Sequence, residues 1–169
     1  YWVSERDRGQ VDALNKGFPR LTGDIVGFIN ADDVLKPGAL RAVLDAFTRE
    51  PATDLVYGGV EWIDGAGKSL GFHAGDISSL DEALDIYDVW WAERQWVQPE
   101  VFYRRTLKDR VGAFDERYNL AFDFDFWVRC FRAGARVAKL PDCLVQFRLH
   151  EAQKSTASLK AADEIRTIL

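Results

Sequence analysis

The 169 residues carry 27 acidic side chains against 22 Lys and Arg, a formal charge of −5, with 47% hydrophobic and 13% aromatic content. A chain of this size and composition can bury a core as one unit, and an acidic balance without clustered Lys and Arg excludes a surface that tracks a nucleic-acid backbone. No apolar run within it is long enough to span a bilayer and no charged-then-apolar leader is visible; Cys130 and Cys143 lie in apolar segments without metal-type spacing and read as reduced core residues of a cytosolic protein.

In chain order, Val11, Leu14 and Phe18 recur at helical spacing and predict a helix from Gly9 to about Arg20. The next segment is the most informative. Ile25 to Ile29 is an apolar run bounded by Thr22-Gly23-Asp24 and, further on, Pro37-Gly38, and it ends in Asn30-Ala31-Asp32-Asp33. The run predicts a central parallel strand buried on both faces, with the acids at its carboxyl end, where open α/β sheets bind ligands. The acid pair fits two readings: a site for a hard divalent cation carrying a phosphate-bearing substrate, or a polar turn in which one acid caps the helix near Pro37. Leu40, Val43, Leu44 and Phe47 then predict an amphipathic helix with Pro37 in its first turn. Asp54 to Val60 reads as a strand, Asp64-Gly65-Ala66-Gly67 as a turn into Ser69-Leu70-Gly71-Phe72, and Leu80, Ala83, Leu84 and Tyr87 as a third helix. Val101 to Arg105 is strand-like. Phe124, Trp127, Val128 and Phe131 mark a helix with Asp123 in its first turn, and Cys143 to Leu149 alternates so that Gln146, Arg148 and His150 share a face.

Taken together with Ser4-Glu5-Arg6-Asp7-Arg8-Gly9, Gln98-Pro99, Val111-Gly112-Ala113-Phe114-Asp115, Asp123-Phe124-Asp125 and Arg148-Leu149-His150, this ordered set resembles the family 2 glycosyltransferases, from about Ser4 to about Ser158. The resemblance implies one α/β domain over residues 1–169 of the GT-A type, a Rossmann-like mixed sheet flanked by helices, in an inverting enzyme dependent on a nucleotide sugar. Members of the family normally begin with a strand, a helix and a second strand that build the nucleobase-binding half. This sequence opens at Tyr1-Trp2-Val3, and the expectation is therefore an N-terminally truncated domain.

The roles that the resemblance implies are specific. Asp33 coordinates Mn²⁺ or Mg²⁺, Asp32 contacts the donor or the metal's water shell, and Asn30 takes the place of the motif's first acid. Asp123 is the general base, ionised at a helix start, with Phe122 in place of the Glu that usually precedes it; a plain N-cap is the competing role. Asp125, pointing away on the same helix, is structural. Arg148 and His150 hold the diphosphate or complete the metal shell, and an exposed strand edge is their structural alternative. On the donor side Arg6 reaches a phosphate, Asp7 orders the turn at Gly9, and Lys16 is a further phosphate ligand; a helix-entry turn and a solvated helix face would look alike.

Trp90, Trp91 and Trp96 precede Gln98-Pro99, and aromatic faces bind the apolar faces of sugars; Trp96 and Gln98 are the acceptor candidates, while His73 reads as a surface residue. The expected partners are a nucleotide-sugar donor and a saccharide or lipid-linked acceptor, with no nucleic acid. The expected location is the cytoplasm, with peripheral association at the inner membrane face left open by a lipid-linked acceptor. The alternative class is a non-catalytic sugar-binding or interaction domain of the same fold.

Overall fold

Leu55, Val56, Tyr57, Val60 and Ile63 leave little polar character in their run, a pattern that suits a strand covered on both faces. In the computed structural model, which describes residues 2–90, 92–150, 153 and 158–169 (without the side chains of 158 and 159), this run is β3 (Leu55–Ile63), the spine of a six-stranded mixed sheet among the described residues. β6 (Val137–Arg148) lies parallel to it along its whole length. The opposite edge of β3 is shared: β5 (Val101–Arg104) pairs antiparallel with its first half and β4 (Ser69–Ala74) with its second. The sheet ends in two short antiparallel strands, β1 (Ile25–Val26) beside β5 and β2 (Val34–Leu35) beside β6.

Helices cover both faces. On one, α2 (Ala39–Arg49) sets Val43, Ala46 and Phe47 against Val56, Phe102, Leu144 and Val145. The other carries the larger core, in which α5 (Phe122–Arg132) buries Phe124, Phe126, Trp127 and Val128 against Tyr57 and Tyr103. Around it pack α1 (Gln10–Gly17), α3 (Leu80–Leu84), α4 (Arg105–Val111) and α6 (Ser158–Ile168). Fully burying one such side chain stabilises by roughly 1.5–3 kcal/mol. The expected mixed sheet flanked by helices is thus observed, and no helix of the described residues is long and apolar enough to cross a membrane.

Several elements depart from expectation. The central parallel pair is β3 with β6; the Ile25–Ile29 run is a two-residue strand at the end of the sheet order, antiparallel to β5. It leaves the ladder at Gly27, where the Phe102 ring fills the space of a side chain: a Cβ there would lie 2.6 Å from the ring. The inward face of α2 is Ala39, Val43, Ala46 and Phe47, while Leu40 and Leu44 are exposed. The third helix stops at Leu84 because Asp85 turns out of helical geometry and its Oδ1 accepts the amides of Tyr87 and Asp88, each at 2.9 Å. Cys143 to Leu149 is the last part of a strand that begins at Val137, and β2 and α4 had no clear sequence signal. Both cysteines are free, and burial pushes the Cys130 thiol up to about 12.

Among the described residues one acid, Glu100, is fully buried within this frame. Glu100 has 0% exposure; its Oε1 accepts the Val97 amide at 2.8 Å, and its Oε2 has no hydrogen-bond partner among the described residues. Desolvation holds its carboxyl well above the ordinary range. An acid whose folded pKa is raised stabilises fully below its unfolded pKa and loses that contribution as pH rises toward the folded value, by about 1.4 kcal/mol per unit. Glu100→Gln removes this slope. Thermal unfolding should show little difference from wild type near pH 4 and a Tm advantage for the variant that widens toward pH 8; parallel pH profiles would contradict the burial of a neutral carboxyl.

Candidate active site

The chain leaves β1, passes through residues 27–33 and joins β2, and the turn between Asn30 and Asp33 closes with the Asp33 amide on the Asn30 carbonyl at 3.2 Å. Asp33 faces inward. Its Oδ1 accepts the Arg148 amide at 3.0 Å and its Oδ2 accepts Asn30 Nδ2 at 3.0 Å. Burial raises its pKa, the two hydrogen bonds oppose that rise, and the neighbouring Asp32 charge adds to it. Asn30 is a hub: its Oδ1 accepts Gln10 Nε2 at 3.1 Å, and its Nδ2 also donates to Gln98 Oε1 at 3.2 Å. Gln98 in turn donates to the Phe28 carbonyl at 2.6 Å. An amide at position 30 therefore supplies donors that a third carboxylate would lack.

Asp32 is the exposed member of the pair. Its Oδ2 lies 2.9 Å from His150 Nε2. Arg148 stands behind them and spends its guanidinium on backbone carbonyls: Asp32 O at 3.0 Å, Asp64 O at 2.7 Å and Gly65 O at 3.1 Å. It clasps the acidic turn, the β3–β4 turn and the end of β6 together. His150 lies two residues past the end of β6, so strand alternation does not set its direction, and its Nε2 reaches Asp32.

Asp32 and His150 form part of the wall of a cavity of about 460 Å³. The same cavity is lined by Asp123, half-buried in the first turn of α5, with Oδ1 accepting the Phe124 amide at 2.8 Å. The partial positive charge of a helix N-terminus favours an ionised carboxylate there. Asp125 turns away, bound to Arg129 at 2.8 Å while Arg129 donates to the Val111 and Ala113 carbonyls. Aromatic side chains supply much of the remaining wall: Trp90, Trp96, Trp127, Phe124 and Phe147.

Other candidates sit as follows. Trp96 lines the cavity yet is a core residue, 3% exposed and packed on Tyr57, Trp127 and Phe131 with ring centroids 4.8–5.5 Å apart; Trp90 is the half-buried one, and Trp91 lies outside the described residues. Gln98 lines the cavity while bracing Asn30 and Phe28. His73 is not a plain surface residue: Nε2 lies 2.8 Å from the Gln95 carbonyl and the ring packs on Trp62. On the donor side Asp7 Oδ1 accepts the Gly9 amide at 2.9 Å, the turn expected of it, and Arg6 is exposed. The Lys16 ammonium is engaged by Glu5 and Asp12, each at 3.2 Å, and by the Arg6 carbonyl at 3.1 Å, with Asp12 first among the groups that raise its pKa. Asn15 is structural, exchanging two hydrogen bonds with the Phe114 backbone at 2.9 and 3.0 Å.

The donor set bears on a metal. Among the described residues no group of three or more His, Cys, Asp or Glu could hold a metal ion. Asp32 and His150 nevertheless stand side by side on the cavity wall. A hard cation that binds through one or two protein ligands and completes its shell with phosphate oxygens and water fits such an incomplete set.

Residues 1–118 match the family described as Glycosyl transferase family 2. The chain belongs to that family. It is similar to a PGL/p-HBAD biosynthesis glycosyltransferase of Mycobacterium bovis, 34% identical over 80% of this chain and 48% of that protein, and to the O-antigen biosynthesis protein RfbC of Myxococcus xanthus, 29% identical over 92% of this chain and 11% of that one. The chain spans about half the length of the mycobacterial relative. Its fold is that of GT-A glycosyltransferases: it superposes on TarS of S. aureus in complex with UDP-GlcNAc with a TM-score of 0.64 at 18% identity, covering 95% of this chain and 46% of that one. The mannosyltransferase PcManGT of Pyrobaculum calidifontis, in complex with GDP-Man and Mn²⁺, gives 0.61 at 18% identity, covering 96% and 43%.

The hub at residue 30 can be tested without any substrate. Asn30→Asp removes the donor to Asp33 and adds a like charge beside it, so urea unfolding at pH 7 should show a loss of about 1–3 kcal/mol. That loss should shrink on acidification as the added carboxylate protonates. Wild-type stability at pH 7 would show that the amide network contributes nothing.

Proposed function

We propose that this chain carries the donor and acceptor chemistry of an inverting glycosyltransferase, which moves a sugar from a nucleotide-diphospho-sugar to a saccharide or lipid-linked acceptor. The observation that carries the reading is a single cavity whose wall includes Asp123 together with Asp32 and His150, in a chain of family 2. Asp123 accepts the proton of the acceptor hydroxyl as the oxygen attacks the anomeric carbon. The bond from that carbon to the diphosphate oxygen breaks in the same step, and its electron pair leaves with the diphosphate. The acidic turn serves the departing end.

Asp32 and His150 are the residues that would hold Mn²⁺ or Mg²⁺, and the cation, when bound, neutralises charge on the diphosphate. Asp33 serves the site by fixing the turn, since both of its oxygens are already hydrogen-bonded, and Arg148 serves it by the clasp on three carbonyls. Arg6 is the donor-side cation whose exposure leaves it able to meet a phosphate. A GT-A neighbour carrying GDP-Man and Mn²⁺ supports a metal-assisted donor site. At the acceptor end, Trp90 and Phe147 offer apolar faces that suit a sugar ring or the first part of a lipid-linked acceptor.

Two measurements follow. Asp123→Asn keeps size and hydrogen-bonding ability but cannot take a proton, so release of nucleoside diphosphate from UDP-GlcNAc or GDP-mannose should fall by a factor on the order of a hundred or more, with nucleotide affinity unchanged. Near-normal turnover in that variant, with loss in Asp125→Asn, would move the base to Asp125. Mn²⁺ titration in the presence of UDP should give weaker binding in Asp32→Asn, by at least the roughly tenfold that loss of an outer-shell partner costs. Equal affinity would remove Asp32 from the metal site.

A further inference from the structure

The backbone that leads into α5 is held from outside its own segment. Its Ncap residue, Ala121, has no side chain that could accept a backbone amide. Glu164, on α6, holds the backbone just ahead of the helix: Oε1 accepts the Asn119 amide at 3.1 Å, and Oε2 accepts the amides of Leu120 and Ala121, each at 2.8 Å. Three successive N–H groups converging on one carboxylate form an anion cradle, and the negative charge lies where the helix dipole favours it. The contact spans 43 to 45 residues of sequence, so it is a tertiary clamp.

The clamped backbone leads directly into Phe122 and Asp123. Phe122 is held on its other side, its ring packed on Phe28 and Phe114 with centroids 6.1 and 5.1 Å away. α6 is itself docked through buried Ile168, and its Ala161 and Ile165 form part of the cavity wall. We infer that Glu164 is a positioning residue: by gathering the amides of residues 119–121 it sets the direction in which Asp123 enters the cavity. The inference rests on the reading of Asp123 as the base. It assigns to the C-terminal helix a part in the reaction through another residue, without contact with the reacting atoms.

The consequence is quantitative, because a displacement of about 1 Å in a reacting group can cost on the order of a hundredfold in rate. The test uses Glu164→Ala and Glu164→Gln in the full-length protein, with folding checked by circular dichroism. Hydrogen exchange should show the amides of residues 119–121 protected in wild type and exchanging at least about tenfold faster in the Ala variant, as loss of a hydrogen bond worth about 1.4 kcal/mol allows. Nucleoside diphosphate release from UDP-GlcNAc or GDP-mannose with Mn²⁺ should show kcat reduced roughly ten- to a hundredfold with the donor KM unchanged. The Gln variant, which retains an acceptor oxygen, should recover part of both.

Unchanged protection in Glu164→Ala would overturn the clamp. Lost protection with wild-type kcat, or kcat and donor affinity falling together, would overturn the positioning role. Absence of turnover in wild type, with the exchange contrast intact, would overturn the base assignment and the role built on it while the clamp stands.

Discussion

A half-buried carboxylate beside another carboxylate persists only if the fold satisfies it, and Asp33 is that group here. Its two oxygens are taken by the Arg148 amide and the Asn30 side chain. The Arg148 amide belongs to the last residue of β6, so the hydrogen bond hangs the acidic turn on the end of a strand that runs parallel to the buried β3. The turn therefore inherits the rigidity of the sheet. Arg148 completes the attachment through three carbonyls, two of them in the β3–β4 turn.

That constraint separates the two acids. Asp33 is turned into the structure, which leaves Asp32 to face the cavity beside His150. A second attachment of the same kind operates at α5, where Glu164 gathers the amides ahead of Asp123. Each acid assigned to chemistry is thus carried on backbone held by a different acid that is hydrogen-bonded and removed from the cavity wall. Orientation of reacting groups by rigid neighbours is a large source of rate enhancement. In the proposed reading the charged framework does for this site what apolar packing does for the core.

The sheet was legible where burial is symmetric. The run at β3 is apolar because both faces are covered, and α5 is rich in apolar residues because Phe122, Phe124, Phe126, Trp127, Val128 and Cys130 are all buried. The Ile25–Ile29 run misled for a physical reason: an apolar segment can pack under a ring such as Phe102 without joining a ladder, and periodicity does not distinguish the two. Leu40 and Leu44 likewise carry the helical period yet face outward. Asp32, Asp123 and His150 were singled out from their order in the chain, and the fold brings all three to one cavity wall. The identity of the inward acid, the amide hub at Asn30 and Gln10, and the clamp at Glu164 were not singled out, because each depends on a partner distant in sequence. Glu164 gave no local signal. Arg148 and Lys16 read as candidate phosphate ligands in sequence and are engaged by carbonyls and carboxylates in the fold.

In the proposed reaction a single displacement occurs at the anomeric carbon, with Asp123 taking the proton and the diphosphate leaving from the opposite face. NMR of the product's anomeric coupling, formed from a donor with an α linkage, tests this most directly. A β-linked product is the expected result. Retention of the donor's α configuration would require a covalent intermediate or a same-face route and would contradict the role given to Asp123.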